Sequence, residues 1–183
     1  MSYTWTFDRD AAGGPPEGFL TVLGTWAVTP DAAAPSQPHM LVQTARFRTG
    51  LHFPRCLVTG VRLADLVAEV AFRPLAGDND QAGGLMFRVQ DPDTYHVFRA
   101  NLLDDVALFK STGRGRRALG RFQARAEGWQ RLRVEARGPR IRCYWNDRPV
   151  IEVEDRSSAE GGIGLWTISD SVSAFDDLRV EPL

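Results

Sequence analysis

The sequence predicts an all-β protein built from two packed sheets. Three observations carry that reading. Apolar and polar residues alternate with a period of two through most apolar segments, and no stretch shows convincing amphipathic spacing for a helix. Turn-forming residues recur about every 8–12 residues, enough to separate about a dozen strands. Among 183 residues there are 17 glycines and 11 prolines, many for a helical chain but suited to a turn-rich one.

Taken in order, Trp5 and Phe7 fall on one face of a short first strand. Residues 8–18 (DRDAAGGPPEG) read as a loop, and residues 24–28 as a second strand. Residues 29–38 hold three prolines and three alanines with few core candidates, so a surface excursion is expected there. Residues 40–43 and 56–59 are short strands around an irregular loop. Residues 66–73 (LVAEVAFR) set Ala68, Val70 and Phe72 against Val67, Glu69, Ala71 and Arg73. After a turn at residues 77–80, residues 82–101 form two strands broken by Asp91-Pro92-Asp93, since proline cannot donate to a ladder. In the second of them His96, Phe98 and Ala100 share one face, and Tyr95, Val97, Arg99 and Asn101 the other. Residues 106–111 are a further strand. Residues 110–125 carry six basic side chains interrupted by glycines, the pattern of a long solvated hairpin. Residues 130–137 alternate, residues 140–146 pair with 150–155 across a hairpin turn, and strands at residues 162–168 and 175–180 close the chain.

This length suits one domain spanning residues 1–183. The net charge of −1 gives no global field for nucleic acid or membrane, so neither is expected as a partner. No apolar run reaches the ~18 residues of a membrane helix. The N-terminus has no basic region followed by an apolar one, so a cytoplasmic location is the default and secretion the alternative if a leader has been removed. Oligomeric state is left open. Cys56 and Cys143 could pair, but a domain of this size needs no staple, and the plainer reading is two small buried apolar residues.

Five motifs spread along the chain carry a resemblance: Gly24-x-Trp26-x-Val28; Glu69 through Arg73; Gly84-Leu85-Met86-Phe87-Arg88; Trp129-x-x-Leu132-Arg133-Val134; and Gly162-Ile163-Gly164-Leu165-Trp166 followed by Phe175-Asp176-Asp177. This pattern resembles the concanavalin A-like, laminin-G-like jelly-roll superfamily. Within it the pattern is most similar to the 3-keto-disaccharide hydrolase-type domain, related in fold to family-16-type glycosidases. Two positions depart from it: Ala82-Gly83 replace an Asn-Ser pair, and Arg148 stands where the hairpin usually has glycine. The resemblance implies a jelly-roll β-sandwich of two antiparallel sheets. It also implies a carbohydrate-related role, as a non-catalytic glycan binder or a glycoside hydrolase. The superfamily hosts adhesion modules too, so a protein-interaction domain without a small ligand stays open.

In a jelly roll the concave side of one sheet is the usual ligand groove. By parity Glu69, Arg73, Arg88, Arg99 and Asn101 are placed on that polar face with Tyr95, and Trp166 reaches it from the closing strand. Guanidinium forks and amides suit sugar hydroxyls, and rings suit sugar C–H faces. Glu69 is expected to pair with Arg88 across neighbouring strands, leaving Arg99 exposed and free for a ligand. The alternative is a ladder of cross-strand ion pairs that keeps an exposed sheet soluble. Glu152 and Glu154 lie ~7 Å apart along a strand, a spacing that would suit inverting hydrolysis, although a solvated face explains them as well. The family-16 E-x-D-x-x-E signature is absent. A structural calcium is a candidate cofactor, with Asp78-Asn79-Asp80 and Asp176-Asp177 as oxygen donors. His39, His52 and His96 have no ligand spacing, and His96 is expected as a hydrogen-bonded core histidine.

Overall fold

The computed structural model describes residues 1–125 and 127–183. Fifteen strands form two antiparallel sheets, and the described residues contain no helix. The eight-stranded sheet runs β13 (Arg148–Glu154), β12 (Arg140–Trp145), β11 (Gln130–Arg137), β6 (Leu66–Ala76), β15 (Val172–Pro182), β4 (His39–Gln43), β3 (Trp26–Pro30), with β1 (Tyr3–Trp5) also paired to β15. The seven-stranded sheet runs β10 (Gly115–Phe122), β9 (Val106–Thr112), β8 (Thr94–Asn101), β7 (Ala82–Asp91), β14 (Gly162–Trp166), β5 (Arg55–Val58), β2 (Phe19–Leu23). Strands distant in sequence are neighbours in both, as a jelly roll requires.

The period-two alternation determines what lies between the sheets. Val70, Phe72, Leu132, Val134, Phe175 and Leu178 from one sheet meet Leu85, Phe87, Phe98, Leu108, Ile163 and Leu165 from the other. The termini come together: Trp5 is registered with Leu178 and Tyr3 with Val180. Phe7 lies past the end of that strand, at φ 65°, and is nevertheless buried. The strand expected at residues 24–28 is β3, and β2 precedes it as a strand the sequence reading did not include. The excursion at residues 31–38 is more than a surface loop, because Ala34 is buried against Met40, Val42 and Ala174 and the Trp129 indole donates to the Ala33 carbonyl. The β12–β13 turn consists of Asn146 and Asp147 at φ 47° and 62°. These two residue types tolerate the left-handed region, so Arg148 can sit in the strand where a glycine is usual.

Two features decide where the expected site residues end up. The link at residues 77–81 crosses between the sheets, so β6 and β7 are consecutive in sequence but belong to different layers. The β7–β8 register also slips between Phe87 and Asp91, with Arg88 at φ 48°. A Cβ on Gly161 would lie 2.4 Å from the Arg88 carbonyl carbon, so only glycine lets the neighbouring chain approach this bulge.

Cys56 and Cys143 are free, buried and on opposite sheets. Burial pushes the Cys56 thiol up to about 12 and raises Cys143 as well, so neither supplies a thiolate at neutral pH.

Candidate functional site

The expected polar face exists in part. Tyr95, Arg99, Asn101 and Trp166 all lie on the outer face of the seven-stranded sheet, as parity indicates. Registered pairs run across it in one row: Trp166 with Gly84, Gly84 with Arg99, Arg99 with Ala107, and Ala107 with Arg121. The small residues in the row make room for the large ones. A Cβ on Gly84 would sit 3.1 Å from the Trp166 ring and 3.2 Å from Arg99 Cβ. The next row carries Met86, Val97, Phe109 and Ala118, and the one beyond it Tyr95, Ser111 and Arg116.

These rows build an aromatic layer under cations. Phe53 stacks on Trp166 at 5.5 Å, and the Trp166 indole donates to the Tyr95 hydroxyl at 3.3 Å. The Arg116 guanidinium lies 4.2 Å from the Phe109 ring centroid, 5.2 Å from Phe53 and 5.9 Å from Trp166. Arg99 and Arg121 each sit 5.3 Å from Phe109. Asp105 is buried between those two, its Oδ1 2.8 Å from Arg99 and its Oδ2 2.6 Å from Arg121. Arg99 also donates to Asp104 at 3.0 Å and to the Asp105 carbonyl at 2.6 Å. At the end of the face, the Asn101 amide donates to Asp80 at 2.8 Å. The turn carrying Asp80 is fixed from below, because the backbone amides of Asp78, Asn79 and Asp80 all donate to the Asp170 carboxylate.

Several expectations need correction. Arg99 is on the expected face, yet it is 3% exposed and already bound by two aspartates. The sequence reading had it exposed and free, but Asp104 and Asp105 engage its guanidinium and Arg121 shares Asp105 and the Phe109 ring with it. Tyr95, Asn101 and Trp166 are likewise covered and shape the layer from beneath. Arg88 is not on this face at all. The bulge turns its side chain inward, fully buried, where it donates to the carbonyls of Ser158, Ala64 and Gly138. Glu69 lies on the other sheet, with Arg179 at 3.8 Å, so the expected Glu69–Arg88 pair does not form.

The ion-pair ladder expected as the alternative is also present, on the outer face of the eight-stranded sheet. Glu135 lies between Arg133 and Arg137, and Glu152 is held by Arg140 and Arg142. Arg140, then Arg142, hold the Glu152 carboxyl below the usual range, the wrong direction for a general acid beside Glu154. The candidate calcium donors have other roles. Asp78 pairs with Arg46, and Asp176 accepts from the Ser36 amide and hydroxyl. Among the described residues no group of three His, Cys, Asp or Glu side chains is placed to hold a metal ion. His96 is a core histidine, stacked on Phe87 at 5.2 Å, but its ring nitrogens have no hydrogen-bond partner among the described residues.

Arg116 is the residue the sequence reading missed. It passed as one member of a solvated basic hairpin. The signal was available: a tight turn at residues 112–115 sets residue 116 opposite Ser111, on the Tyr95 face.

Comparison with known proteins gives this face its context. Residues 53–181 match the family described as the 3-keto-alpha-glucoside-1,2-lyase-like domain. The chain belongs to this family. A levanase of Bacillus subtilis (strain 168) is 28% identical over 170 residues, covering 90% of this chain and 23% of the levanase, so the chain spans about a quarter of that relative's length. Among solved structures, the carbohydrate-binding module CBM66 from Bacillus subtilis superposes with TM-score 0.75 at 22% identity, covering 93% of this chain and 99% of the module. The Caenorhabditis elegans galectin LEC-6 superposes with TM-score 0.51 at 16% identity, covering 74% of this chain and 94% of the galectin. The fold is thus a jelly-roll β-sandwich, shared with that module and with the galectin.

Proposed function

We propose that this protein is a carbohydrate-binding module whose ligand lies on the outer face of the seven-stranded sheet, against Arg116. One observation carries the reading. The cations of the other outer face are largely met by carboxylates, whereas on this one a guanidinium stacks over three aromatic rings with a buried Nη1 that no described residue accepts from. Aromatic rings beside unsatisfied donors are what a polyhydroxylated ring needs, and leaving such a donor unpaired is costly without a ligand. Family membership and the module-like fold support a glycan as that ligand.

A glycan array that includes levan, followed by calorimetry on the positives, tests it. Arg116→Ala is expected to weaken binding about 10–100-fold, the worth of a hydrogen bond from a charged donor. Arg142→Ala, on the opposite sheet, is expected to change it by less than about twofold. Unchanged binding in Arg116→Ala, or a loss confined to Arg142→Ala, would move the site elsewhere. Turnover of a 3-keto-glycoside by the wild-type chain would replace binding with cleavage as the function.

A further inference from the structure

The charges around Arg116 indicate what kind of sugar this face takes. Three guanidinium groups, from Arg99, Arg116 and Arg121, gather on one Phe109 ring at 5.3, 4.2 and 5.3 Å. The nearby carboxylates are already engaged. Asp105 gives one oxygen to Arg99 and the other to Arg121. Asp104 serves Arg99, and Asp80 accepts the Asn101 amide. Among the described residues no carboxylate comes within 4 Å of Arg116, and its Nη1 is buried without an acceptor.

We propose, on the basis of the carbohydrate-binding reading above, that the bound sugar is anionic and seats a carboxylate or sulfate ester on Arg116. A neutral hydroxyl could accept from Nη1, but it would leave Arg116 the one guanidinium of the three without a carboxylate in direct contact among the described residues. An anionic oxygen both accepts the hydrogen bond and offsets the repulsion among the guanidiniums. Hydrogen bonds between two charged groups are roughly twice as strong as neutral ones, and the planar guanidinium fork matches a carboxylate. Partial burial lowers the screening that weakens exposed pairs. Arg116's own proton affinity is lowered, first by burial and then by Arg99 and Arg121, while Tyr95 and Asp80 oppose them.

The test is calorimetry at fixed salt with four polysaccharides: polygalacturonate, its methyl ester, κ-carrageenan and levan. Polygalacturonate and its ester share a backbone and differ in charge, while κ-carrageenan carries sulfate in place of carboxylate. The expected result is at least tenfold tighter binding to one acidic polymer than to the neutral ones. Arg116→Gln should abolish the preference and Arg116→Lys should retain part of it, with melting temperatures showing that both variants fold. Which acidic polymer binds identifies the anion. If the methyl ester or levan binds as tightly as the acidic polymers and Arg116→Gln weakens all alike, the face binds neutral glycans and only this inference fails. If acidic polymers bind equally well to Arg116→Gln, the attraction is not seated on Arg116 and the inference also fails. If none of the four binds while the glycan array has positives, only this inference fails; if the array has none either, the carbohydrate-binding reading fails with it.

Discussion

Arg88→Met is expected to lower stability by about 3–5 kcal/mol, since each of its three hydrogen bonds from a charged donor is worth about 1.5–3 kcal/mol and water recovers part of the loss. At roughly 2–4 °C per kcal/mol for a protein of this size, the melting midpoint should fall by ~6–20 °C. The side chain is fully buried and carries donors to three backbone carbonyls: Ser158, Ala64 and Gly138. Those carbonyls come from three separate segments, so the guanidinium closes one end of the sandwich. Methionine has similar length and would fill the volume, but it leaves all three carbonyls without their donor, the Ser158 carbonyl in a buried position. Urea melts read the effect directly. A loss below about 1 kcal/mol would mean that water reaches these carbonyls once the arginine is gone.

The second large effect is on acid stability. His96 is buried on Phe87 among Lys110, Arg88 and Asp155, with the Asp155 carboxylate 3.8 Å from Nε2. Burial, then Lys110, push its pKa down to about 4, while Asp155 opposes them. Between about pH 6.5 and 4 the unfolded chain therefore binds a proton that the folded chain refuses. Stability falls as pH drops through that window, by about 3 kcal/mol if the whole shift is expressed. Asp176 works in the opposite direction. Burial raises it to about 6, so its contribution is present at low pH and is lost as pH rises through 6. The two nearly cancel between pH 6 and 4, and the wild-type profile should be flat there. Below that window Asp155 and Asp170 take over. Burial works against both charges, yet Ser157, His96 and Lys110 for Asp155, and the amides of residues 78–80 with Arg46 for Asp170, outweigh it and lower both pKa values. Protonating them removes further stability. His96→Leu exposes the hidden histidine contribution. Urea melts at pH 4, 5, 6 and 7 should show the variant gaining about 3 kcal/mol on the wild type as pH falls from 7 to 4. Parallel profiles would mean that His96 titrates normally in the fold.

The sequence made the sandwich legible because alternation and turn residues are local signals. Tyr95 and Arg99 on one face follow from parity alone, and Trp166 joins them through the register of the closing strand. Arg88 broke the parity rule because a bulge turned it inward. That bulge depends on Gly161, a residue 73 positions away that admits the close approach. Glu69 broke the neighbour rule because the short link at residues 77–81, which could have closed a hairpin, crosses between sheets instead. Arg99 was legible in direction but not in depth, since the carboxylates that take its guanidinium come from Asp104 and Asp105 beyond the end of β8. Arg116 was hidden among six basic residues that composition treats alike and only pairing register separates.

The central claim is that glycan contacts the outer face of the seven-stranded sheet. Backbone amide shifts measured by NMR during titration with the strongest-binding oligosaccharide of the array test it most directly. The account predicts that shifts cluster on Phe53 and on facing positions of β8, β9 and β10, around Tyr95, Phe109 and Arg116. Shifts clustered on β11, β12 and β13, along the ladder of Glu135 and Glu152, would contradict it.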